Sequence, residues 1–487
     1  MFSFKVNKFF LLKVIYFFSV LDIVFAKSLK FPLQKTIPSS GSSLFQKRDN
    51  LFLSLKNNDD EYFSTSINLG TPSQELNVIF DTGSADLWVM DTNNPNCLNS
   101  LNSSIKDNSK IDCSQITTFD SKKSSSFKKL SDDRFYINYV DETYAEGEWA
   151  TDTLTINGIT INNMQFGLAL NATTPVSGVL GIGFQRREAV RGYPGASNEF
   201  YLNFPEVLKQ DGIVDVVAYS LHLGQTSSII FGGLDKNAFE GNMYTFPMVN
   251  VYPTVVDKPA TLSLTIQGLY AYNSNSLEQT QIFNTKYPVL LDSGTTLVSF
   301  PIEIADKMAN YVNATYSEKE SIYIMDCPTD TLNTGFMFDF GDLKLNVSLA
   351  SFILPPDGEA YCGFGVLPSS NSITLGDSFL KNAYVVYDLE NYQISLAKAI
   401  NGNSLDENII DIPSDGNIPG AITASAKVWT SYDDDSTPTS SDVHSIKTNF
   451  QSNTLLTVML NNTVNKPTTS AHVIFETVIE YICSSSL

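Results

Sequence analysis

Two short stretches of the chain share one form: Val78-Ile79-Phe80-Asp81-Thr82-Gly83-Ser84 and Val289-Leu290-Leu291-Asp292-Ser293-Gly294-Thr295. Each is an apolar run that ends in aspartate, a hydroxyl residue and glycine. At average residue usage Asp-[Ser/Thr]-Gly arises by chance about once in two thousand positions, so a second copy behind a second apolar run is informative. Two carboxyl groups brought to hydrogen-bond distance do not both ionise easily. The second negative charge opposes the first in a partly desolvated cleft, and one proton is shared over a wide pH range. A water held between them meets one carboxylate that takes its proton and one carboxylic acid that polarises an acceptor such as a peptide carbonyl. That chemistry is hydrolysis, with no call for a metal, a cofactor or a covalent intermediate.

For Asp81 and Asp292 to meet, each apolar run must be a buried strand that delivers its carboxylate at the end, and the following glycine must turn the backbone beneath it. The repeat continues. Val179-Leu180-Gly181 ends 100 residues after Asp81, and Thr374-Leu375-Gly376 ends 84 residues after Asp292. This is duplication at domain scale, not a short solenoid repeat. From about Tyr62 to Lys398, short alternating or apolar runs are broken by Gly, Asn, Asp and Pro, which predicts an all-β fold. Helices are expected only around Glu206 to Lys209, from Pro301 to Tyr311 and just after Asp377.

With 487 residues and 43% apolar content the chain can bury a large core, enough for two lobes and extensions. Its formal charge of −21 argues against a nucleic-acid partner, since phosphate binding wants the opposite sign. Three histidines, His222, His444 and His472, leave little from which to build a Ser-His-Asp or Cys-His site, and His222 lies in an alternating, strand-like run.

The first 26 residues read as a signal peptide: Lys5 and Lys8, an apolar stretch from Phe9 to Phe25, and small residues suited to cleavage after Ala26. Lys13 and Asp22 make this stretch a poor membrane span. Residues 27–48 are polar, basic and rich in Ser and Pro, and end in the dibasic pair Lys47-Arg48, which suggests a propeptide cut by a dibasic-specific processing protease. Without residues 1–48 the chain has 23 basic and 51 acidic residues, a net −28, so a basic propeptide would cover an acidic body.

Five cysteines in a secreted chain suggest two local disulfides, Cys97 with Cys113 and Cys327 with Cys362, leaving Cys483 odd. No Cys-x-x-Cys pair supports a zinc site. Sequons at Asn102, Asn171, Asn313, Asn346 and Asn461 fit a secretory route. The expected divisions are a first lobe over 49–232, a second over 233–400 and a Ser/Thr/Asn-rich, mostly disordered tail over 401–487. The tail's last apolar run, Val473 to Ile482, is a weak lipid-anchor signal, so the destination is extracellular, free or at the cell wall or surface.

The chain resembles the pepsin-like aspartic peptidases, and within them the fungal secreted candidapepsins and yapsins. The resemblance covers roughly Tyr62 to Lys398. It includes Gly70-Thr71-Pro72-Ser73-Gln74, the run from Asp81 to Val89, Asn203-Phe204-Pro205-Glu206, Ile230-Phe231-Gly232-Gly233-Leu234-Asp235, the run from Leu291 to Leu297, Leu375-Gly376-Asp377-Ser378-Phe379-Leu380 and Val386-Tyr387-Asp388-Leu389. Their paired aspartates are the standing example of a shared-proton dyad. The resemblance implies a bilobal fold with an active-site cleft between the lobes and a hairpin flap over polypeptide substrates, inhibition by pepstatin-type compounds, and a monomer.

Carried over, Asp81 and Asp292 form the dyad. Thr82 and Ser293 would exchange hydroxyl-to-backbone bonds across the lobe junction, Gly83 and Gly294 would turn the loops, and Ser84 and Thr295 would bond the outer carboxylate oxygens. Tyr139 matches the flap tyrosine, and Trp88 the tryptophan whose indole bonds to it. This chain has Val140 and Glu142 where relatives carry flap glycines, so the flap tip needs another turn, with Asp141 as the residue suited to the left-handed region. Asp141 also lies where related fungal enzymes carry an acid facing the residue before the scissile bond, which suggests tolerance of Lys or Arg there. The polar loop from Gln185 to Glu199 either rims the cleft or is a surface insertion. A pepsin-like fold that has lost activity and serves as a binding or cell-surface protein is the alternative, but such chains usually carry a damaged motif and both are intact here. An acidic working range follows, because activity needs one proton on the dyad.

Overall fold

The strand Gln74–Asp81 is half-buried at its start and fully buried from Val78 onward, because its apolar residues pass from alternation to a continuous run as the chain enters the lobe interior. The computed structural model describes residues 28–36, 62–97, 111, 113–139, 143–191, 199–224, 227–355, 361–401 and 406–430. Among them strands dominate. Helices are short: Phe204–Gln210, Ile302–Tyr311 and Asp377–Leu380, with a few single 3₁₀ turns. The fold is all-β.

The first lobe is built on an eight-stranded sheet and the second on smaller sheets of five, four and four strands. At the heart of each lobe the duplicated motif becomes one supersecondary unit. Gln74–Asp81 runs parallel to Gly178–Gly181, with Asp81 opposite Gly181, and Gly178–Gly181 runs antiparallel to Leu87–Met90. In the second lobe Tyr287–Leu291 runs parallel to Ile373–Leu375, which runs antiparallel to Val298–Pro301. The repeated glycine has a steric cause. A Cβ on Gly181 would lie 2.5 Å from the amide nitrogen of Ala85, and one on Gly376 would lie 2.2 Å from the carbonyl oxygens of Thr295 and Leu297. The aspartate loop crosses directly over the later glycine in both lobes.

A seven-stranded sheet joins the lobes, in the order Leu29–Pro32, Ser228–Phe231, Ala218–His222, Ala383–Asp388, Gln393–Ala399, Phe239–Pro247 and Ala421–Thr423. The halves expected at 49–232 and 233–400 therefore meet in a shared sheet, not a linker. His222 is a strand residue of this sheet, buried, with Nε2 3.2 Å from the Ile400 carbonyl oxygen.

Two segments depart from expectation. Residues 28–36, read as part of a polar propeptide, contribute two edge strands, Leu29–Pro32 to the seven-stranded sheet and Gln34–Thr36 to the eight-stranded one, and insert Phe31, 1% exposed, against Phe231 and Phe204 with ring centroids 5.5 and 6.2 Å away. Residues 406–430, assigned to a mostly disordered tail, pack on the body. Ile412, Ile418 and Trp429 are buried, Ile409–Asp411 pairs with Gly233–Asp235, and Trp429 donates its backbone N–H to Thr265 Oγ1 at 2.8 Å. Burying such side chains stabilises by about 1.5–3 kcal/mol each, which a polar composition averaged over the segment conceals. The ion pair of Lys30 with Glu407 at 2.9 Å ties the two segments together.

Disulfides join Cys97 to Cys113 and Cys327 to Cys362, with Cα separations of 5.3 and 4.9 Å. Asn313 and Asn346 are exposed. Asn171 is half-buried, and its amide donates to Glu146 Oε1 at 2.7 Å and accepts from Asn96 at 2.7 Å. The expected signal peptide, Lys47-Arg48, Asn102, Asn461, Cys483 and the tail beyond residue 430 lie outside the described residues. Among the described residues no helix is long and apolar enough to cross a membrane.

Candidate active site

The two aspartates arrive as the last residue of Gln74–Asp81 and the first after Tyr287–Leu291, and both are buried. Their side chains are hydrogen-bonded to each other. Each is held by matching donors. Asp81 accepts from the Gly83 amide through Oδ1 at 2.7 Å and from the Ser84 hydroxyl through Oδ2. Asp292 accepts from the Gly294 amide through Oδ1 at 2.9 Å and from the Thr295 hydroxyl through Oδ2 at 3.1 Å. These donors fix both carboxyl planes before any substrate arrives.

Gly83 passes so close to the opposite carboxyl that a Cβ there would lie 2.7 and 2.8 Å from the two Asp292 oxygens. Any side chain would displace the second aspartate. Burial, then the neighbouring Asp81 charge, pushes the Asp292 carboxyl well above its usual range, against the opposing pull of the Gly294 and Thr295 donors. The buried pair therefore keeps a proton that two separate carboxyls would lose.

The loops are locked by reciprocal bonds across the lobe junction. The Ser293 amide donates to Thr82 Oγ1 at 2.9 Å while Thr82 Oγ1 donates to the Leu291 carbonyl at 3.0 Å. The Thr82 amide donates to Ser293 Oγ at 3.2 Å while Ser293 Oγ donates to the Phe80 carbonyl at 3.0 Å. Thr82→Val keeps the shape and strands a buried amide and a buried carbonyl, so it is expected to lower unfolding stability by about 2–3 kcal/mol, with Thr82→Ser close to wild type. Denaturant titration of Thr82→Val and Thr82→Ser checks this. Losses no larger in Thr82→Val than in Thr82→Ser would refute the role of the Thr82 hydroxyl.

The flap is the hairpin of Lys128–Asn138 and Tyr144–Ile156. Tyr139 donates its amide to the Thr143 carbonyl at 2.8 Å, and between the two in sequence come residues 140–142. These include Asp141 and lie outside the described residues. Trp88 Nε1 donates to the Tyr139 hydroxyl at 2.8 Å, and both side chains are buried in a small core with Phe135 and Trp149. The base of the flap is thus packed onto the strand that follows the first aspartate loop.

Sequence reasoning singled out neither Asp86 nor Arg187. Asp86 is fully buried and accepts from the Tyr201 hydroxyl at 2.7 Å and the Ala189 amide at 2.8 Å. Burial raises its carboxyl to about 7 despite these bonds. Its signal was an acid flanked by Ala85 and Leu87, within a motif already read for other reasons. Arg187 is 8% exposed and donates from Nε to the Gly83 carbonyl at 3.2 Å. The loop containing it therefore turns inward at this point, beneath the first aspartate loop. Among the described residues no group of three or more His, Cys, Asp or Glu gathers as a metal site.

A duplicated parallel-strand motif, with paired carboxyls where the two copies meet, defines the class. The chain belongs to the eukaryotic aspartyl protease family, whose profile matches residues 61–399, and is by that membership an aspartic-type endopeptidase. It is 53% identical over 390 residues to barrierpepsin of Saccharomyces cerevisiae, an alignment covering 77% of this chain and 66% of that protein. It is 37% identical over 421 residues to aspartic proteinase yapsin-3 of the same yeast, covering 83% and 79%, and 35% identical over 353 residues to an acid protease of Saccharomycopsis fibuligera, covering 70% and 82%.

Proposed function

We propose that the protein is a secreted endopeptidase that hydrolyses peptide bonds at acidic pH by activating a water between Asp81 and Asp292. The hydrogen-bonded carboxyl pair at the lobe junction carries this reading. In one step the ionised carboxylate takes a proton from the water as its oxygen attacks the peptide carbonyl carbon. The protonated carboxyl gives its proton to the carbonyl oxygen, and collapse of the tetrahedral diol with protonation of the amine breaks the C–N bond. Between them the two side chains hold one proton before and after. Hydrolysis of an unstructured polypeptide that peaks at acidic pH and is stopped by pepstatin supports the proposal. Activity that survives pepstatin refutes it.

The signal-like first 26 residues, the dibasic Lys47-Arg48 and the sequons at Asn313 and Asn346 support a secretory route to the outside or the cell surface. For specificity, the acidic pair Asp141 and Glu142 at the flap tip supports acceptance of Lys or Arg before the scissile bond. Asp141→Ala is expected to reduce cleavage after basic residues about tenfold relative to apolar ones, the loss of one charge-assisted bond. Peptide-library cleavage with an unchanged preference would sink the idea.

A further inference from the structure

Arg187 sits in a charged run, Gln185-Arg186-Arg187-Glu188, where surface exposure is the ordinary fate of an arginine. Here it is buried beneath the first aspartate loop, with Nε bonded to the carbonyl of Gly83, two residues from Asp81 and against the carboxyl of Asp292. It lines a cavity between the lobes with Thr82 and Gly83 of the first and Thr261, Leu262 and Leu290 of the second. The cavity measures about 10 Å³, room for no more than roughly one water. A space of that size holds no substrate side chain, and the ionisable groups of the site that act on the guanidinium include both aspartates.

Burying a cation is costly unless an anion is near. Desolvation pulls the guanidinium down from its ordinary range, and the Tyr252 hydroxyl, Asp292 and Asp81 pull it back up. The other titratable groups around the pair are acids. Tyr219 on Ala218–His222 and Tyr387 on Ala383–Asp388 face the dyad, and burial pushes both hydroxyls far up, so they stay neutral. Asp377 acts on Tyr387, while the buried Asp86 and Glu188 flank Tyr201. Among the described residues Arg187 is the cation of this group.

We propose that the buried Arg187 guanidinium, anchored on the Gly83 carbonyl, supplies the positive field that keeps one negative charge on the Asp81–Asp292 pair and so sets how acidic the working range is. The proposal rests on the dyad reading above. A nearby positive charge favours each ionisation of the pair, so both the gain and the loss of the single-proton state fall at lower pH than they would without it. A neighbouring opposite charge typically moves a carboxyl by about one pH unit or more.

The test is the pH profile of kcat/KM for wild type, Arg187→Met, Arg187→Gln and Arg187→Lys, with folding checked by thermal unfolding at acidic pH. Met and Gln remove the charge, and Gln retains a donor for the Gly83 carbonyl. Lys keeps the charge without the planar fork. Both limbs of the profile are expected to move up by about one pH unit in the two neutral variants and to stay in place in Arg187→Lys. Neutral variants that lose rate with both limbs unmoved would show a merely structural arginine and overturn the proposal, as would failure of both to fold. Asp292→Asn run in parallel separates the two ideas: if that variant keeps activity, the dyad reading itself has failed.

Discussion

Asp292→Asn is expected to reduce kcat/KM about ten-thousand-fold while leaving the protein folded. The amide is nearly isosteric. Its oxygen can still accept from the Gly294 amide, and the Thr295 hydroxyl can rotate to accept from its NH₂ group. What it cannot do is give up a proton to a carbonyl oxygen and later recover one. The second expectation separates a chemical defect from a folding defect. Wild type must keep a proton on the buried carboxyl pair in the folded state that the separate carboxyls of the unfolded chain release, so the variant should be the more stable protein near neutrality. Loss of activity with a raised melting temperature at pH 7 is the expected pair of results. Loss with general destabilisation would assign Asp292 to the scaffold.

The largest stability effect is expected from pH itself. Burial raises Asp86 to about 7 and Glu206 to about 7, and Asp292 is raised as well. A carboxyl raised by folding adds no pH dependence while both states are protonated. As pH climbs past about 4 the unfolded chain releases its protons and the folded one does not, so stability falls until the folded group also ionises, near 7 for Asp86 and Glu206. For the fully buried Asp86 a shift of this size corresponds to on the order of 4 kcal/mol between those limits. The protein should therefore melt highest at acidic pH and weaken steadily toward neutrality. Asp86→Asn mimics the neutral acid: its oxygen takes the Ala189 amide and its NH₂ group donates to the Tyr201 hydroxyl. It should match wild type near pH 4 and exceed it near pH 7. Thermal unfolding across that range decides, and parallel curves for the two proteins would remove Asp86 as the cause.

The meeting of the two carboxyls was legible because its requirements are local. A buried strand, a carboxylate, a hydroxyl and a glycine leave a seven-residue trace, and duplication printed that trace twice. The later glycines were legible as a repeat, though their reason, backbone crossing within 2.5 Å of where a Cβ would stand, needs three dimensions. The two segments flanking the core were not legible. Their places depend on a few apolar side chains, Phe31 at one end and Ile412, Ile418 and Trp429 at the other, set among residues that on average resemble a linker. Arg187 was hidden for a related reason. Nothing in a charged tetrapeptide says which of two adjacent arginines turns inward.

The exchange of hydroxyls between Thr82 and Ser293 has a consequence for how such a chain can vary. Each half carries the donor that the other half needs, so the unit of function is the junction and neither lobe is a lesser copy of a working enzyme. The surfaces, loops and disulfides of the halves are released from resembling each other, and they differ: eight strands in one main sheet against five in the other. The few atoms at the seam are not released, because a change on one side leaves an orphaned partner on the other. A duplicated chain of this design is free to become asymmetric everywhere except along its own axis.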